Sequence, residues 1–201
     1  MSGVGAVPNP DDLEPEHTEG FKVGEKKTIE EYQNLDANDE SLRKWKESLG
    51  LGTGASLSDP NDQRRVIILS LGLEVQGRSD IVIELSKPGA LEELNKHPFT
   101  IKEGSTFRMK ARFKVQHQIL SGMKYVQVVS RMGVKNKMQE MIGSYSPNTT
   151  DKPEYEKKFE SETAPSGMLG RGHYEAVSKF VDDDNQTHLQ FKWAFDIKKD
   201  W

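Results

Sequence analysis

The chain has no cysteine among its 201 residues. It therefore contains no disulfide framework and no thiol that could act as a nucleophile or bind a metal. It also has no apolar run close to the roughly 20 residues that a membrane-spanning helix needs. Together these absences predict a cytoplasmic protein that is not stably inserted into a membrane.

A strong excess of charge of either sign is also missing. Charged residues make up 30% of the chain, yet the formal net charge is only −4. This balance argues against a nucleic-acid-binding protein, because such proteins neutralise phosphates with clustered Lys and Arg. Hydrophobic residues account for only 34% of the chain, so we expect part of it to remain outside a packed core.

The usual signatures of an active site are absent as well. The five histidines lack metal-ligand spacing, and no Gly-x-Ser-x-Gly nucleophile elbow occurs. The glycine-rich stretch 50–54 follows a predicted helix and is not followed by Lys-Ser/Thr, which indicates a linker rather than a phosphate-binding loop. The sequence predicts neither an enzyme nor a metal site, and no cofactor.

The residues before position 65 are predicted to form three segments without a core of their own. Residues 1–27 combine Gly, Pro, Asp, Glu and Lys without a hydrophobic period, so we predict a disordered acidic tail. Residues 28–50 carry two short helical patterns and are predicted to be a helical regulatory arm. Residues 51–64 are rich in Gly, Ser and Asp, and we predict a linker there.

Both helices of the arm have start signals. Thr28 and Glu31 form a capping box for the first helix, and Asp36 or Asn38 is placed to cap the second. Each helix is shorter than the ~12–15 residues below which an isolated helix is marginal in water. We therefore expect a flexible arm whose short helices are only partly formed until their apolar edge meets a partner surface.

Residues 65–201 change to the two-residue period of β-strands. The clearest strand covers 107–115, where apolar residues alternate with Arg or Lys. The final strand places five large apolar side chains on one face: Leu189, Phe191, Trp193, Phe195 and Ile197. About eight strands, separated by turn signals, predict an all-β fold built as an antiparallel β-sandwich.

The apolar strand residues allow two interpretations. They either fill an ordinary core between two sheets or, as a surplus over what such a core requires, line a cavity for an apolar ligand. The acidic run 182–184 is interpreted as a hairpin turn, because it lacks the spacing and the glycine of a calcium loop. With Glu160 and Glu162, this run also offers negative charge to a basic peptide.

Four segments carry a resemblance to a known family: Leu35-Asp-Ala-Asn-Asp-Glu-Ser-Leu-Arg-Lys-Trp-Lys46, Ser121-Gly-Met-Lys-Tyr125, Gly167-Met-Leu-Gly-Arg-Gly172 and Ile197-Lys-Lys-Asp-Trp201. In this order, from about residue 28 to the end, the chain resembles the Rho GDP-dissociation inhibitors. The resemblance implies a mobile arm followed by an immunoglobulin-like, prenyl-binding sandwich over residues 65–201. It also implies that the protein binds prenylated Rho-family GTPases in the GDP-bound form, with Mg²⁺ on the GTPase, slows GDP release and extracts them from membranes into the cytosol.

The resemblance implies two sets of binding residues, and the acidic residues form a third. The residues that would contact the GTPase switch regions are Asp39, Ser41, Leu42 and Trp45, with Tyr32 and Leu35 on the same helical edge. The residues that would line a pocket for a geranylgeranyl or farnesyl group are Leu71, Leu73, Phe99, Phe107, Ile119, Leu169, Phe191 and Trp193. The residues that would screen the basic tail of the GTPase are Glu160, Glu162, Asp182, Asp183 and Asp184.

Two other functions are compatible with a β-sandwich. One is a lipid-shuttling sandwich for other prenylated or acylated cargo, as in relatives of the phosphodiesterase delta subunit, a class that lacks the arm motif Asp39–Trp45. The other is an immunoglobulin-like adaptor that recognises peptides through an exposed strand edge. An adaptor of this kind needs neither an internal cavity nor a lipid on its cargo.

Overall fold

The computed structural model describes residues 8–16, 31, 39–41, 44 and 54–201. In this part of the chain, ten strands form two sheets. The strands are β1 (Val66–Val75), β2 (Ile81–Glu84), β3 (Phe99–Lys102), β4 (Thr106–Val115), β5 (Leu120–Arg131), β6 (Val134–Tyr145), β7 (Tyr155–Lys158), β8 (Glu162–Thr163), β9 (Gly172–Val181) and β10 (Thr187–Lys198). One sheet has the order β2-β1-β4-β7, with β8 also paired to β4, and the other has the order β3-β10-β9-β5-β6.

Strand β4 shows why these residues form a sandwich. Its inward residues Met109, Ala111 and Phe113 are buried in the core between the sheets. Its outward residues are cations with acidic partners: Arg108 bonds to Glu74, Lys110 to Asp80 and Arg112 to Glu154. The two-residue period therefore separates an apolar face from a charged face, and the predicted all-β sandwich is confirmed.

One strand pair differs from the predicted antiparallel arrangement. Strands β3 and β10 are parallel, with Phe99 opposite Phe195, whereas the other named pairs are antiparallel. Separately, the chain passes from one sheet to the other between β2 and β3, and this connection includes the helix α1 (Ala90–Lys96), which the sequence patterns did not reveal. Leu94 of α1 is buried in the core.

Residues 8–16, inside the predicted disordered tail, contact the sandwich instead, and that prediction is corrected for these residues. A 3₁₀ turn over Pro10–Leu13 begins with a capping box made by Asn9 and Asp12. Leu13 is fully buried on the outer face of β5 and β9, against Val126, Val128, Val177 and Val181. Asp12 pairs with Lys135 at 2.5 Å, and both backbone polar groups of Glu16 bond to the Gln139 amide. We call residues 8–16 the strap.

The residues before β1 also contact the sandwich. Leu57 donates its backbone N–H to the Asn148 carbonyl at 3.0 Å, and Asp59 donates to the Gln116 side chain at 2.9 Å. The end of the predicted linker that lies within the described residues is therefore attached to the sheets. The predicted domain boundaries as a whole stay a prediction.

Candidate functional site

A cavity of about 400 Å³ lies between the two sheets. Its lining residues are Ile101, Phe107, Met109, Gln127, Val129, Arg131, Met132, Val134, Asn136, Glu162, Thr163, Pro165, Tyr174, Trp193, Phe195 and Ile197. Most of these side chains are apolar, and the volume falls in the range of roughly 300–1,000 Å³ that small-molecule sites occupy. The apolar surplus noted in the sequence therefore lines a cavity as well as filling a core.

Hydrogen bonds hold the polar groups beside this cavity. The Tyr125 hydroxyl donates to Gln127 Oε1 at 2.7 Å and lies 2.8 Å from the Ser178 hydroxyl. Trp193 donates its indole N–H to the same Ser178 oxygen at 2.9 Å. Burial raises the pKa of the Tyr125 hydroxyl, which keeps it neutral. The network fixes the Trp193 ring in the cavity wall.

A second, much smaller cavity of about 20 Å³ adjoins the first. Met109 and Trp193 line both cavities, so these two side chains form the wall between them. The remaining lining residues of the small cavity are Leu71, Gly72, Leu73, Ile81, Ile83, Leu94, Phe99 and Phe191. A volume near that of one or two water probes holds no lipid chain unless side chains move.

Six of the eight predicted prenyl-binding residues line one or both of the two cavities. Leu71, Leu73, Phe99, Phe191 and Trp193 line the small cavity, whereas Phe107 and again Trp193 line the large one.

Ile119 and Leu169 line neither cavity. The Ile119 carbonyl accepts a hydrogen bond from Arg65, and the Leu169 side chain is 90% exposed. Their predicted contact with a prenyl group is therefore not supported by either cavity and stays a prediction.

Several lining residues were missed from sequence. Met109, Phe195 and Ile197 were recognisable as inward residues of β4 and β10 by their two-residue period, although they were not assigned to a pocket. Val129 and Tyr174 gave no such signal, because pairing of β5 with β9 brings them to the cavity.

Two of the predicted acidic residues lie near the cavity. Glu162 lines its mouth, and the backbone N–H of Glu160 donates to the Glu140 carboxylate at 3.0 Å. Glu162 is exposed overall, but desolvation of its carboxyl group by the surrounding residues raises its pKa, and the Glu140 carboxylate adds to this effect. A cation at this mouth would relieve the cost of ionising Glu162.

The other three acidic residues lie in an ion-pair cluster of the sandwich itself. Arg65 contacts Asp182 at 3.0 Å and Asp184 at 2.8 Å, and Lys124 contacts Asp183 at 3.0 Å. Asp182 also lies 2.9 Å from His188. Asp182 and Asp183 are buried, so their charge is balanced inside the protein. A β-carbon at Gly122 would overlap the Asp183 carboxylate, which explains the glycine of the Ser121–Tyr125 motif.

Asp183 and the cavity-lining Glu162 lie near opposite ends of strand β5. Asp183 bonds to the backbone of Ser121 near the start of β5, whereas Glu162 and Val129 line the cavity near the end of that strand. At about 3.3 Å per residue, Ser121 and Val129 lie roughly 26 Å apart. This separation and their internal ion pairs weigh against a contact of Asp182, Asp183 and Asp184 with the same basic tail as Glu162, and the basic-tail role of all five acidic residues stays a prediction.

The predicted switch-binding residues are described only in part. Glu40, Ser41 and Lys44 are helical, and the Asp39 carboxylate accepts a hydrogen bond from the Ser41 backbone N–H at 2.8 Å. This contact makes Asp39 the N-cap of the helix, in place of the expected Asp36 or Asn38. Glu40 and Lys44 form an i,i+4 ion pair at 3.2 Å. Four predicted residues lie outside the described residues: Tyr32, Leu35, Leu42 and Trp45.

Arg131 joins the end of β5 to the glycine-rich loop 167–172. Its guanidinium donates hydrogen bonds to the carbonyls of Leu169 and Arg171. It also lies 5.1 Å from the centre of the Tyr174 ring. Glu103 holds the other side of the loop, because it accepts from the Gly167 backbone N–H at 2.7 Å and from the Arg171 guanidinium at 2.7 Å.

Within the described ranges, no cluster of three or more His, Asp or Glu side chains is arranged to hold a metal ion. The helices of these ranges include none that is long and apolar enough to cross a membrane.

Comparisons with known proteins assign the chain to a family. The family model described as RHO protein GDP dissociation inhibitor matches residues 8–200. The Rho GDP-dissociation inhibitor of Schizosaccharomyces pombe is 49% identical over 187 residues, covering 92% of this chain and 89% of that protein. That of Saccharomyces cerevisiae is 44% identical, with 92% and 94% covered. The human Rho GDP-dissociation inhibitor 1 is 45% identical, with 94% and 90% covered. The chain therefore belongs to the Rho GDP-dissociation inhibitor family.

Proposed function

We propose that this protein is a GDP-dissociation inhibitor of prenylated Rho-family GTPases, which it holds in the cytoplasm. The observation that carries the proposal is the cavity of about 400 Å³ between the sheets of a chain that belongs to this family. The role is regulatory and needs no catalysis by this chain. The matched residues include the arm, so a lipid shuttle without an arm is not favoured.

The cavity supplies the lipid contact. Each CH₂ group removed from water contributes about 0.8 kcal/mol, so a geranylgeranyl or farnesyl chain gains strongly from entering it. Side-chain movement of Met109 and Trp193 would add the small cavity, and with it Leu71, Leu73, Phe99 and Phe191, to the space for the chain. A bilayer offers the prenyl chain similar relief from water, so extraction requires a further contact with the GTPase itself.

The arm supplies that further contact. Asp39 and Ser41 begin a helix and offer hydrogen-bonding groups to the GTPase switch regions. The apolar contacts are predicted to come from Leu42 and Trp45 of the second helical pattern and from Tyr32 and Leu35 of the first. A GTPase whose switch loops are held in place releases GDP and its Mg²⁺ slowly, because those loops must move to open the nucleotide site. If the short helices of the arm form only on binding, as their length predicts, their ordering has an entropic cost that leaves the complex open to regulation by changes of charge.

Glu162, with Glu160, supplies a contact for the basic tail of the GTPase. Glu162 lies at the mouth of the cavity that would take the prenyl group at the end of that tail. A cationic tail would favour the ionised carboxylate, whose pKa is raised in the free protein. Competition with anionic lipids for the same cations would assist extraction.

Filling the cavity tests the proposal. Val129→Trp places a large ring in the cavity lining and should abolish extraction of a geranylgeranylated Rho-family GTPase from liposomes, while binding of the unprenylated GTPase is retained. Val82→Trp is the matched control, because Val82 is 47% exposed on β2 and lines neither cavity. Equal extraction by the wild type and the Val129 variant would refute lipid binding in this cavity.

Removing the polar groups of the arm tests the switch contact. In Asp39→Ala/Ser41→Ala, GDP release from the complex should become faster, while a geranylgeranylated peptide still binds the sandwich. The measurement is release of a fluorescent GDP analogue, with the peptide as the control ligand. An unchanged release rate would exclude these two residues from the switch contact.

A further inference from the structure

Four large apolar side chains project into solvent from two loops. Met132 is 86% exposed, Val134 73%, Met168 86% and Leu169 90%. Among the residues that the structure describes, these are the most exposed of the large hydrophobic side chains. We call these four the rim residues. Exposed apolar side chains that lie close together often mark an interaction site, whereas single exposed apolar residues are common on any protein surface.

The two loops are held side by side. Met132 and Val134 lie at the β5–β6 turn, and Met168 and Leu169 lie in the glycine-rich loop before β9. Arg131, directly before Met132, bonds to the Leu169 carbonyl and ties the turn to the loop. Tyr174 adds a second tie, because its hydroxyl donates to the Gly170 carbonyl at 2.6 Å. The rim residues therefore lie on two loops that are held beside each other.

These two loops border the mouth of the large cavity. Met132 and Val134 line that cavity, and so do Arg131 and Tyr174, which hold the second loop. A prenyl chain that leaves a bilayer for this cavity must pass the rim. If water lay between the bilayer and the cavity mouth, the CH₂ groups of the prenyl chain would be exposed to water during transfer. This exposure would raise the free-energy barrier to transfer from the bilayer to the cavity.

We propose that the rim residues contact the acyl-chain boundary of a lipid bilayer and place the cavity mouth against the membrane during extraction. The proposal rests on the proposed function, since it concerns the route by which the prenyl chain reaches the cavity. The contact is peripheral, because only two methionines, a valine and a leucine reach the boundary. Flexible methionine side chains suit a fluid, irregular surface.

The charges near the rim predict an apolar rather than an electrostatic contact. Arg171, in the same loop, is paired with Glu103 at 2.7 Å, and Lys135, next to Val134, is paired with Asp12 at 2.5 Å. Arg171 and Lys135 are therefore already compensated by carboxylates. The third cation near the rim, Arg131, is turned towards the carbonyls of Leu169 and Arg171, so anionic lipid gains little from these three side chains. Extraction should therefore depend on the rim residues equally in neutral and anionic vesicles and at low and high salt.

Met168 provides the sharpest test, because it belongs to the rim but does not line the cavity. With the full-length protein and phosphatidylcholine vesicles carrying a geranylgeranylated GTPase, Met168→Ser should slow extraction by about threefold to tenfold, as expected for one lost apolar contact. Met168→Leu should restore the rate, and Met168→Trp should increase it, because Trp favours the membrane interface. Met141→Ser is the matched control, since Met141 is 52% exposed on β6.

A second measurement separates the rim from the cavity. The affinity of each variant for a fluorescent geranylgeranylated peptide in solution reports on the cavity alone. Slower extraction by Met168→Ser with unchanged peptide affinity would support the membrane contact. Unchanged extraction, or extraction and peptide affinity lost in parallel, would overturn it. Absence of peptide binding by the wild type would instead refute the proposed function itself.

Discussion

Arg65 is the residue that balances the buried carboxylates at one end of the sandwich. Its guanidinium contacts Asp182 and Asp184, and it also donates to the Ile119 carbonyl at 2.7 Å. Only 10% of its side chain is exposed. A buried ion pair adds little net stability, but removing one partner leaves the other charge without compensation.

Arg65→Met should therefore lower the free energy of unfolding by about 3–5 kcal/mol, because two carboxylates lose their cation. Arg64→Met is the control one residue away: Arg64 is paired with Asp62, but its side chain is 66% exposed, so the cost should be about 0–1 kcal/mol. Urea unfolding followed by tryptophan fluorescence measures both. Equal costs for the two variants would contradict the role given to the Asp182–Asp184 cluster.

The ion pairs of Glu74 make the folding stability depend on pH. Hydrogen bonds from Lys158 and Arg108 lower the pKa of its carboxyl group to about 2. Because the folded pKa lies below the unfolded one, this contribution is present above about pH 4.5 and is lost as pH falls towards 2. The Glu74→Gln variant should lack it, at a cost on the order of 1 kcal/mol near neutral pH after allowance for solvent screening.

Thermal unfolding between pH 7 and pH 2 checks this expectation. The difference between the wild type and Glu74→Gln should be constant down to about pH 5 and should disappear near pH 2. Glu84→Gln is the control, since Glu84 lies 3.6 Å from Arg112 and is 42% exposed. If the stability difference between the wild type and Glu74→Gln instead grew as the pH fell, folding would not lower the pKa of Glu74.

At the scale of elements, the strap is held by few contacts. Burial of the Leu13 side chain contributes about 1.5–3 kcal/mol, with smaller terms from the Asp12–Lys135 pair and the Glu16–Gln139 hydrogen bonds. Ordering each backbone residue of the strap costs about 1–2 kcal/mol. The strap is therefore expected to detach and dock reversibly while the sandwich stays folded.

Leu13→Ala should release the strap without unfolding the sandwich. The Glu16 amide, which donates to Gln139 at 2.8 Å, should exchange with solvent much faster, whereas the urea midpoint of the sandwich should change little. Glu14→Ala is the control within the strap, because the contact of Glu14 with Lys137 uses its backbone carbonyl. Hydrogen exchange followed by NMR distinguishes the two variants. Unchanged protection of Glu16 in Leu13→Ala would show that Leu13 does not anchor the strap.

Sequence patterns predicted some of the secondary-structure elements and missed others. Strand β4 was recognisable because alternation of apolar and charged residues is a local property. Helix α1 has only seven residues, too few for a helical period to stand out between two strands. The strap was missed for a related reason, since one buried leucine in an acidic, proline-containing segment has no periodicity. Its position depends on a valine-lined surface that β5 and β9 create together.

For the whole molecule, a ligand that binds only the folded state should raise the thermal midpoint. At 100 times its Kd, a geranylgeranylated peptide should add about 2.7 kcal/mol of stability, which corresponds to roughly 5–10 °C for a chain of this size. The unprenylated peptide should have no effect, and Val129→Trp should abolish the shift. Differential scanning fluorimetry measures the midpoint, and an equal shift with both peptides would exclude the cavity as the lipid site.

The sequence by itself determined the features that arise from local order. The two-residue period predicted a sandwich, the two short helical patterns with their start signals predicted the arm, and the four motifs indicated the family. Only the tertiary structure decided which distant residues meet. Pairing of β5 with β9, and packing of the two sheets, created the cavity, buried Asp182 and Asp183 against Arg65 and Lys124, and left Leu169 exposed. Contacts between residues far apart in the chain depend on register and packing, and no short stretch of sequence encodes them.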